Sequence, residues 1–184
     1  VLLRMAYNAW KTGDPGFTFI DRINEDNTTP NIGNFETTDP CGGQLLFPYE
    51  SAPLGTINLS LMVTEKDGKC AIDYPHLAEV VHTAVRFLDD VIDVNRYPIK
   101  AVKEASLLTR KIGLGVMGFA EMLIKMGIRY NSEQAVTVAN ELMRFIREEA
   151  YSTSMVLATE RGVFPAFEGS SFQRPGMKMR TASC

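Results

Sequence analysis

The residue with the clearest chemical potential is a cysteine in TTDPCGGQLLFPYESAPLGTINLS, residues 37–60. Cys41 is flanked by Pro40, Gly42 and Gly43, so its thiol is predicted to stand on a loop and not inside a regular element. A thiol in such a place can act as a nucleophile, a metal ligand or a redox centre. The alternative is a small buried hydrophobe, which is what a free cysteine commonly is.

The other cysteines and the histidines limit disulfide and metal chemistry. The chain has three cysteines, Cys41, Cys70 and Cys184, widely spaced and without a CxxC pair, which argues against a disulfide framework and a zinc site. Its two imidazoles are His76 and His82, so we expect no transition metal held by protein ligands. This cysteine usage favours a reducing compartment, and we expect a cytoplasmic protein.

A second candidate is RKIGLGVMGFAEML, in which Gly113, Gly115 and Gly118 match GxGxxG, the turn that holds a dinucleotide pyrophosphate. That turn should follow a buried parallel strand, and an acidic side chain about 20 residues later should bind the ribose. The corresponding region holds Ser132 and Glu133, where the pattern predicts the start of a helix. We therefore expect these glycines to permit close helix packing and not to bind a nucleotide.

The third candidate is DDVID, with Asp89, Asp90 and Asp93. A DDxxD motif on a helix can hold Mg²⁺ against a diphosphate, as in prenyl-transferring enzymes, because hard cations prefer oxygen ligands. Those enzymes need a second acidic motif across an all-helical cavity, and here Glu148 and Glu149 stand alone. We expect a solvated helix face opposite an apolar stripe, and no metal site.

The elements that must position these residues can be read from the apolar pattern. Strands are predicted at GFTFIDRI, residues 16–23, and at TINLSLMV, residues 56–63, with about thirty loop-like residues between them. Val81, Val85 and Leu88 are the helical positions most expected to be buried. Helices are predicted over residues 1–12 (ended by Gly13), 77–94, 116–126 (ended by Gly127), and from 131 or 132 to Gly162.

Composition supports one folded unit. The chain of 184 residues is 45% hydrophobic and 22% charged, enough to bury one core, and we see no repeat or interdomain linker. The net charge of −3 gives no reason to expect a nucleic-acid partner or an anionic membrane. No apolar run is long enough to span a bilayer, and the start does not read as a signal peptide; we expect a segment from the middle of a longer protein.

Taken together, DPCGGQLLFPYESAPLGTINLS, GDPGFTFIDRIN, RFLDDVIDVNRYP, RKIGLGVMGFAEML and ELMRFIREEA resemble the catalytic subunit of the adenosylcobalamin-dependent (class II, vitamin B12-dependent) ribonucleotide reductases. The resemblance covers essentially the whole chain, in order. It implies an α/β fold that is part of a ten-stranded α/β barrel. Residues 1–184 would form a single partial barrel domain, with a finger loop at about 37–55 and a helical half at about 75–162.

The resemblance also implies a chemistry. The cysteine matching Cys41 would become a thiyl radical at the tip of the finger loop and take the 3' hydrogen of a ribonucleotide, which is then reduced to a deoxyribonucleotide. Pro40 and Gly42 would let the backbone approach the substrate. The implied cofactor is adenosylcobalamin, although no motif in this chain identifies its site. The implied partners are the ribonucleotide and the remainder of the reductase chain or a partner subunit.

This sequence departs from the family pattern around the reactive cysteine. The family Asn is Asp39, the family Glu that accepts the 3' hydroxyl proton is Gly43, the family redox Cys is Ala52, and the following Asn is Pro53. We also expect the family's phosphate-seating Pro-Thr-Gly turn to come just after MRTASC. We expect a fragment or degenerate homologue with impaired chemistry; the alternative is a non-catalytic nucleotide-binding or assembly module on the same scaffold.

Overall fold

The structure, a computed structural model, describes residues 1–66 and 68–182. Its helices are α1 (Leu2–Thr12), α2 (Ile20–Glu25), α3 (Tyr74–Val94), α4 (Lys100–Thr109), α5 (Phe119–Lys125) and α6 (Glu133–Arg161). Its strands are β1 (Thr37–Thr38), β2 (Leu45–Leu46), β3 (Leu54–Asn58), β4 (Val63–Lys66), β5 (Lys69–Ile72) and β6 (Gly113–Met117), and a 3₁₀ turn covers Leu59–Leu61.

The main core lies where α3 and α6 pack together. The Asp73 carboxylate caps α3 by accepting a hydrogen bond from the His76 amide at 3.1 Å, and the Ser132 hydroxyl caps α6 through the Ala135 amide at 3.2 Å. The predicted helices over 77–94 and from 132 to 162 are thus confirmed. The apolar residues of these two helices in this core are Leu77, Val81, Val85, Leu88 and Ile92 on α3 and Ala135, Leu142, Ile146 and Leu157 on α6.

The strands described form three separate pairs. β3 and β6 are parallel, with Leu54 opposite Gly113 and Asn58 opposite Met117, and α3 and α4 supply the crossover that parallel strands require. β1 with β2 and β4 with β5 are antiparallel pairs. The α/β class is as predicted, but the described residues do not close a barrel.

The first strand prediction is wrong. Residues 20–25 form α2, and Phe17 and Phe19 are exposed before it. The aromatic and branched residues suggested a strand, yet a strand needs a partner, and no described strand pairs with this segment. The Asn24 side chain instead donates to the carbonyls of Ile20 at 3.0 Å and Phe35 at 3.1 Å, which ties α2 to the chain ahead of the cysteine loop.

Two other boundaries differ from prediction. The expected strand over 56–63 is interrupted because the Asn58 side chain accepts a hydrogen bond from the Ser60 amide at 3.1 Å and starts the 3₁₀ turn. The expected helix over 116–126 begins at Phe119, since 113–117 pairs with β3. The predicted helix over 1–12 is confirmed, with Gly13 in the left-handed conformation at φ 83° as its C-terminal cap.

The last described segment forms a smaller core of its own. Five buried residues make it up: Phe164, Ala166, Phe172, Met179 and Ala182. The Asn31 side chain donates to the carbonyl of Glu168 at 2.7 Å, so the chain ahead of the cysteine loop is tied to this segment. No helix among the described residues combines the length and apolarity needed to cross a membrane.

Candidate active-site loop

Cys41 stands at the tip of a short hairpin formed by β1 and β2. The Asp39 amide donates to the Gln44 carbonyl and the Gly42 amide donates to the Asp39 carbonyl, both at 3.0 Å. Gly42 adopts φ 75°, which closes the turn at little steric cost. Cys41 is exposed, so the alternative of a buried inert thiol does not hold. The long predicted loop thus contains an ordered hairpin with the cysteine at its tip.

The residues that depart from the family pattern occupy different places around this tip. One Asp39 carboxylate oxygen accepts a hydrogen bond from the Gln44 amide at 3.0 Å, so the side chain braces the turn. Gly43 is exposed, and a Cβ added there meets nothing within 4 Å. Ala52 is half-buried beyond the hairpin. The hairpin therefore forms with glycine at position 43 and alanine at position 52.

A buried ion pair anchors the base of the loop, and sequence reasoning missed it. Lys111 Nζ lies 2.7 Å from Glu50 Oε2, and both side chains are fully buried. The same Glu50 oxygen accepts the Phe47 amide at 2.9 Å, and the Thr109 hydroxyl donates to Oε1. Lys111 Nζ also donates to the carbonyl of Leu45 at 2.9 Å. The sequence carries no local signal for this pair, because Glu50 and Lys111 are 61 positions apart.

Aromatic rings complete the environment of the lysine. Lys111 Nζ lies 4.3 Å from the ring centroid of Phe35 and 4.9 Å from that of Phe47, within cation–π range. The two rings are themselves 4.6 Å apart. Phe35 precedes β1 and Phe47 follows β2. The lysine therefore contacts the chain on both sides of the base of the hairpin.

Three further hydrogen bonds fix the segment after the hairpin. The Ser51 and Ser106 hydroxyls lie 2.9 Å apart, and the Ser51 amide donates to the Ser106 hydroxyl at 3.1 Å. The Gly113 amide donates to the Pro53 carbonyl at 3.0 Å, immediately before β3 pairs with β6. The position of Ala52 is therefore defined from both sides.

The acidic motif has a structural role that we did not predict. Asp89 is fully buried, so the expected solvated face is wrong for this residue. Arg110 Nη2 lies 2.7 Å from one carboxylate oxygen, Arg161 Nη1 lies 2.9 Å from the other, and Arg180 Nε lies 3.3 Å from the group. This Asp89 cluster joins α3, the end of α4, the end of α6 and the last described segment.

The neighbouring carboxylates share the same arginines. Arg110 Nη1 lies 2.7 Å from Asp93 Oδ1, and the hydrogen bond from Arg110 lowers the pKa of that carboxyl. Asp90 pairs with Arg161 at the surface. The described residues hold no group of three or more His, Cys, Asp or Glu side chains suited to a metal ion.

The glycine motif belongs to the parallel strand pair. Gly113 and Gly115 lie on β6 opposite β3, so the expectation that they permit close helix packing is wrong. A Cβ on Gly113 would overlap the Leu54 side chain, and one on Gly118 would overlap the Asn58 amide oxygen. These glycines let strand and turn backbones approach packed side chains, and the Asn58 side chain fills the space at the turn.

The described residues do not form a site that fits a cobalamin. The two histidines lie exposed on α3, and His82 Nε2 is 2.6 Å from Glu149 Oε2. A cavity of about 660 Å³ lies between α6, β6 and the last described segment, and its lining is mostly apolar, with Arg144 and Arg147 on α6.

Comparison with known proteins identifies the class. The family profile of the ribonucleotide reductase barrel domain matches residues 1–183, and the chain belongs to this family. The vitamin B12-dependent ribonucleoside-diphosphate reductase of Thermoplasma acidophilum is 54% identical over 175 residues, covering 95% of this chain and 22% of that protein. The protein of the same name from Mycobacterium tuberculosis H37Rv is 54% identical over 164 residues, covering 89% of this chain and 23% of its own length.

A more distant relative carries a different name. The ribonucleoside-diphosphate reductase subunit alpha of Chlamydia trachomatis is 38% identical over 175 residues, which is 93% of this chain and 16% of that protein. The chain therefore spans about a fifth of the length of the curated relatives that it matches. Within the family, its similarity is greater to the two B12-dependent proteins.

Proposed function

We propose that this chain supplies the cysteine-loop portion of the catalytic barrel of a B12-dependent ribonucleoside-diphosphate reductase, and that its own chemistry is impaired. The observation that carries the proposal is the exposed Cys41 at the tip of an anchored hairpin, in a chain 54% identical to two B12-dependent reductases. The same proposal includes a ribonucleotide substrate and adenosylcobalamin as cofactor of the whole protein. It also includes the remainder of the reductase as partner and a cytoplasmic location.

The proposed role of Cys41 is hydrogen-atom transfer. A thiyl sulfur at Cys41 takes the hydrogen from C3' of the ribose, so that an S–H bond forms, the C3'–H bond breaks and the unpaired electron passes to the sugar. The exposed hairpin tip leaves room for a ribose to approach the sulfur. Pro40 and Gly42 are exposed beside it, so the backbone can approach the ligand as well.

Two substitutions argue that later steps are impaired. Gly43 offers no carboxylate to accept the 3' hydroxyl proton, and a positioned general base typically contributes about 10²- to 10⁴-fold, or about 3 to 5 kcal/mol of barrier. Ala52 offers no thiol, although reduction at C2' draws two electrons from a pair of thiols that become a disulfide. An external dithiol lacks the effective molarity of a positioned pair.

The test measures deoxynucleotide formation from labelled cytidine diphosphate with adenosylcobalamin and dithiothreitol. We expect no product from this chain, with or without Gly43→Glu, Ala52→Cys and Asp39→Asn. In the full reading frame that encodes it, the three reversions should raise product formation by about 10²-fold or more. Cys41→Ser in the reverted protein is the matched control and should abolish the gain. Product from the unmodified chain would refute the impairment, and turnover without Cys41 would refute its role.

The second candidate function is a non-catalytic nucleotide-binding or assembly module, favoured by the same Gly43 and Ala52. It predicts ribonucleotide binding without any modification of Cys41. Incubation with substrate and cofactor followed by peptide mass spectrometry separates the two functions. A radical or alkylation product at Cys41 supports the reductase, whereas saturable binding with an unmodified cysteine supports the module.

A further inference from the structure

We propose that Lys111 and Glu50 are positioning residues for the Cys41 loop, acting as a buried clamp at its base. The inference rests on the proposed function for what the loop does, but the clamp itself is defined by contacts. Glu50 lies nine residues beyond the cysteine, and Lys111 lies in the turn between the end of α4 and the start of β6. Their ion pair at 2.7 Å therefore joins the loop to the strand pair that carries it.

The contacts of Lys111 point at the loop. Its ammonium group is shared between Glu50 and the carbonyl of Leu45, which lies in β2, the strand returning from Cys41. The rings of Phe35, just before β1, and Phe47, just after β2, also lie beside it. A single cation therefore sets the spacing of the strands that present the thiol.

The contacts of Glu50 are equally complete. Its carboxylate accepts from Lys111, the Phe47 amide and the Thr109 hydroxyl, so both oxygens are occupied. A buried ion pair is seldom the most stable way to fill a core, because desolvation offsets most of the attraction. What distinguishes this ion pair from an apolar contact is that its hydrogen bonds are directional. They are satisfied in one arrangement of the loop and the core.

Arg110, the residue before Lys111, contacts the helical core and not the loop. Arg110 has a left-handed backbone at φ 48°, and its guanidinium is held by Asp89 and Asp93 on α3. The two consecutive side chains thus bind different parts of the molecule: Arg110 binds the helical core and Lys111 binds the loop. The turn between α4 and β6 connects the core to the cysteine hairpin.

The experiment is hydrogen exchange of backbone amides by NMR in the 184-residue chain. The probes are the amides of Asp39 and Gln44, which are hydrogen-bonded in the hairpin, with the buried Leu142 on α6 as the reference. Thr109→Val removes one hydroxyl from the clamp with little change of shape, and Thr109→Ser keeps it. Lys111→Met removes the cation and keeps an unbranched chain.

We expect both Thr109→Val and Lys111→Met to speed exchange at the hairpin amides, by about 10-fold for the lysine variant, with no matching change at Leu142. Thr109→Ser should restore the rate. Arg86→Met, which breaks the exposed ion pair between Arg86 and Glu160, is the matched control and should leave the hairpin unchanged.

Unchanged hairpin exchange in the Thr109→Val and Lys111→Met variants, or an equal rise at Leu142, would overturn the proposal. If Lys111→Met does not fold, Thr109→Val with its Ser rescue decides alone. No turnover is needed, so a failed reductase assay leaves this result standing and a failed exchange experiment leaves the role of Cys41 standing.

Discussion

The helical half and the cysteine loop are held by different forces. In α3 and α6, apolar side chains recur along each helix and are buried against the partner helix. In the segment from Phe35 to Pro53, the hairpin strands contribute two residues each, and polar anchors hold the chain that follows: Glu50 pairs with Lys111 and Ser51 with Ser106. Removal of one contact weakens a core built from many equivalent contacts only in part. A loop held by a few directed bonds depends on each of them.

The largest effect should come from the Asp89 cluster, which is the polar element inside the helical half. Asp89→Ala leaves Arg110, Arg161 and Arg180 without their shared carboxylate, and breaking a buried pair costs about 3 to 5 kcal/mol. Urea denaturation measures the free energy of unfolding. The control is Asp90→Ala, whose partner Arg161 is at the surface, and we expect less than about 1 kcal/mol. Equal losses would contradict the structural role assigned to Asp89.

Truncation of the apolar stripe should cost somewhat less. Leu88 is buried on α3 against Gly55 of β3, whose added Cβ would lie 3.4 Å from it. Leu88→Ala should lower the free energy of unfolding by about 2 to 5 kcal/mol, because a packed core closes such a cavity only in part. Phe87→Ala, at an exposed neighbour, serves as the comparison and should fall within about 0.5 kcal/mol. A loss of stability at Phe87 well above this limit would contradict the assignment of Phe87 to an exposed face of α3.

The smallest effect concerns thiol access. Cys41 is exposed at the hairpin tip and Cys70 is only partly exposed on β5, so limiting iodoacetamide should modify Cys41 faster. Peptide mapping at short reaction times gives both rates in one sample. Denatured protein is the control and should show the two rates converging. Slower labelling of Cys41 in the folded protein would contradict its place at an open tip.

Much of the helical half could be predicted from sequence because its stabilisation is periodic. The spacing of Val81, Val85 and Leu88 predicts burial directly, and Ser132 predicts the start of α6. The same reasoning failed for Asp89, which lies next to the apolar stripe and is buried with it. Periodicity reports which face is buried, but it does not report that three arginines come from distant positions to neutralise a carboxylate.

The site was predictable only in part. Proline and glycine around Cys41 predicted a loop, and the family resemblance supplied its proposed role. The clamp could not be found this way, since Glu50 and Lys111 are separated by 61 positions, and pairing over that distance is set by the β3–β6 crossover. The mistaken strand at 16–23 has a related cause: strand propensity is realised only where a partner strand lies alongside.

The open space around Gly43 has a consequence for how this lineage could change. A side chain there would extend into solvent without displacing a neighbour, so the hairpin places no steric barrier against a glutamate. Glycine and glutamate codons can differ by a single nucleotide, as can those of aspartate and asparagine at position 39. The step from alanine to cysteine at position 52 needs at least two nucleotide changes, in a half-buried place. A carboxylate at position 43 can therefore arise by a single nucleotide change, whereas a thiol at position 52 requires at least two.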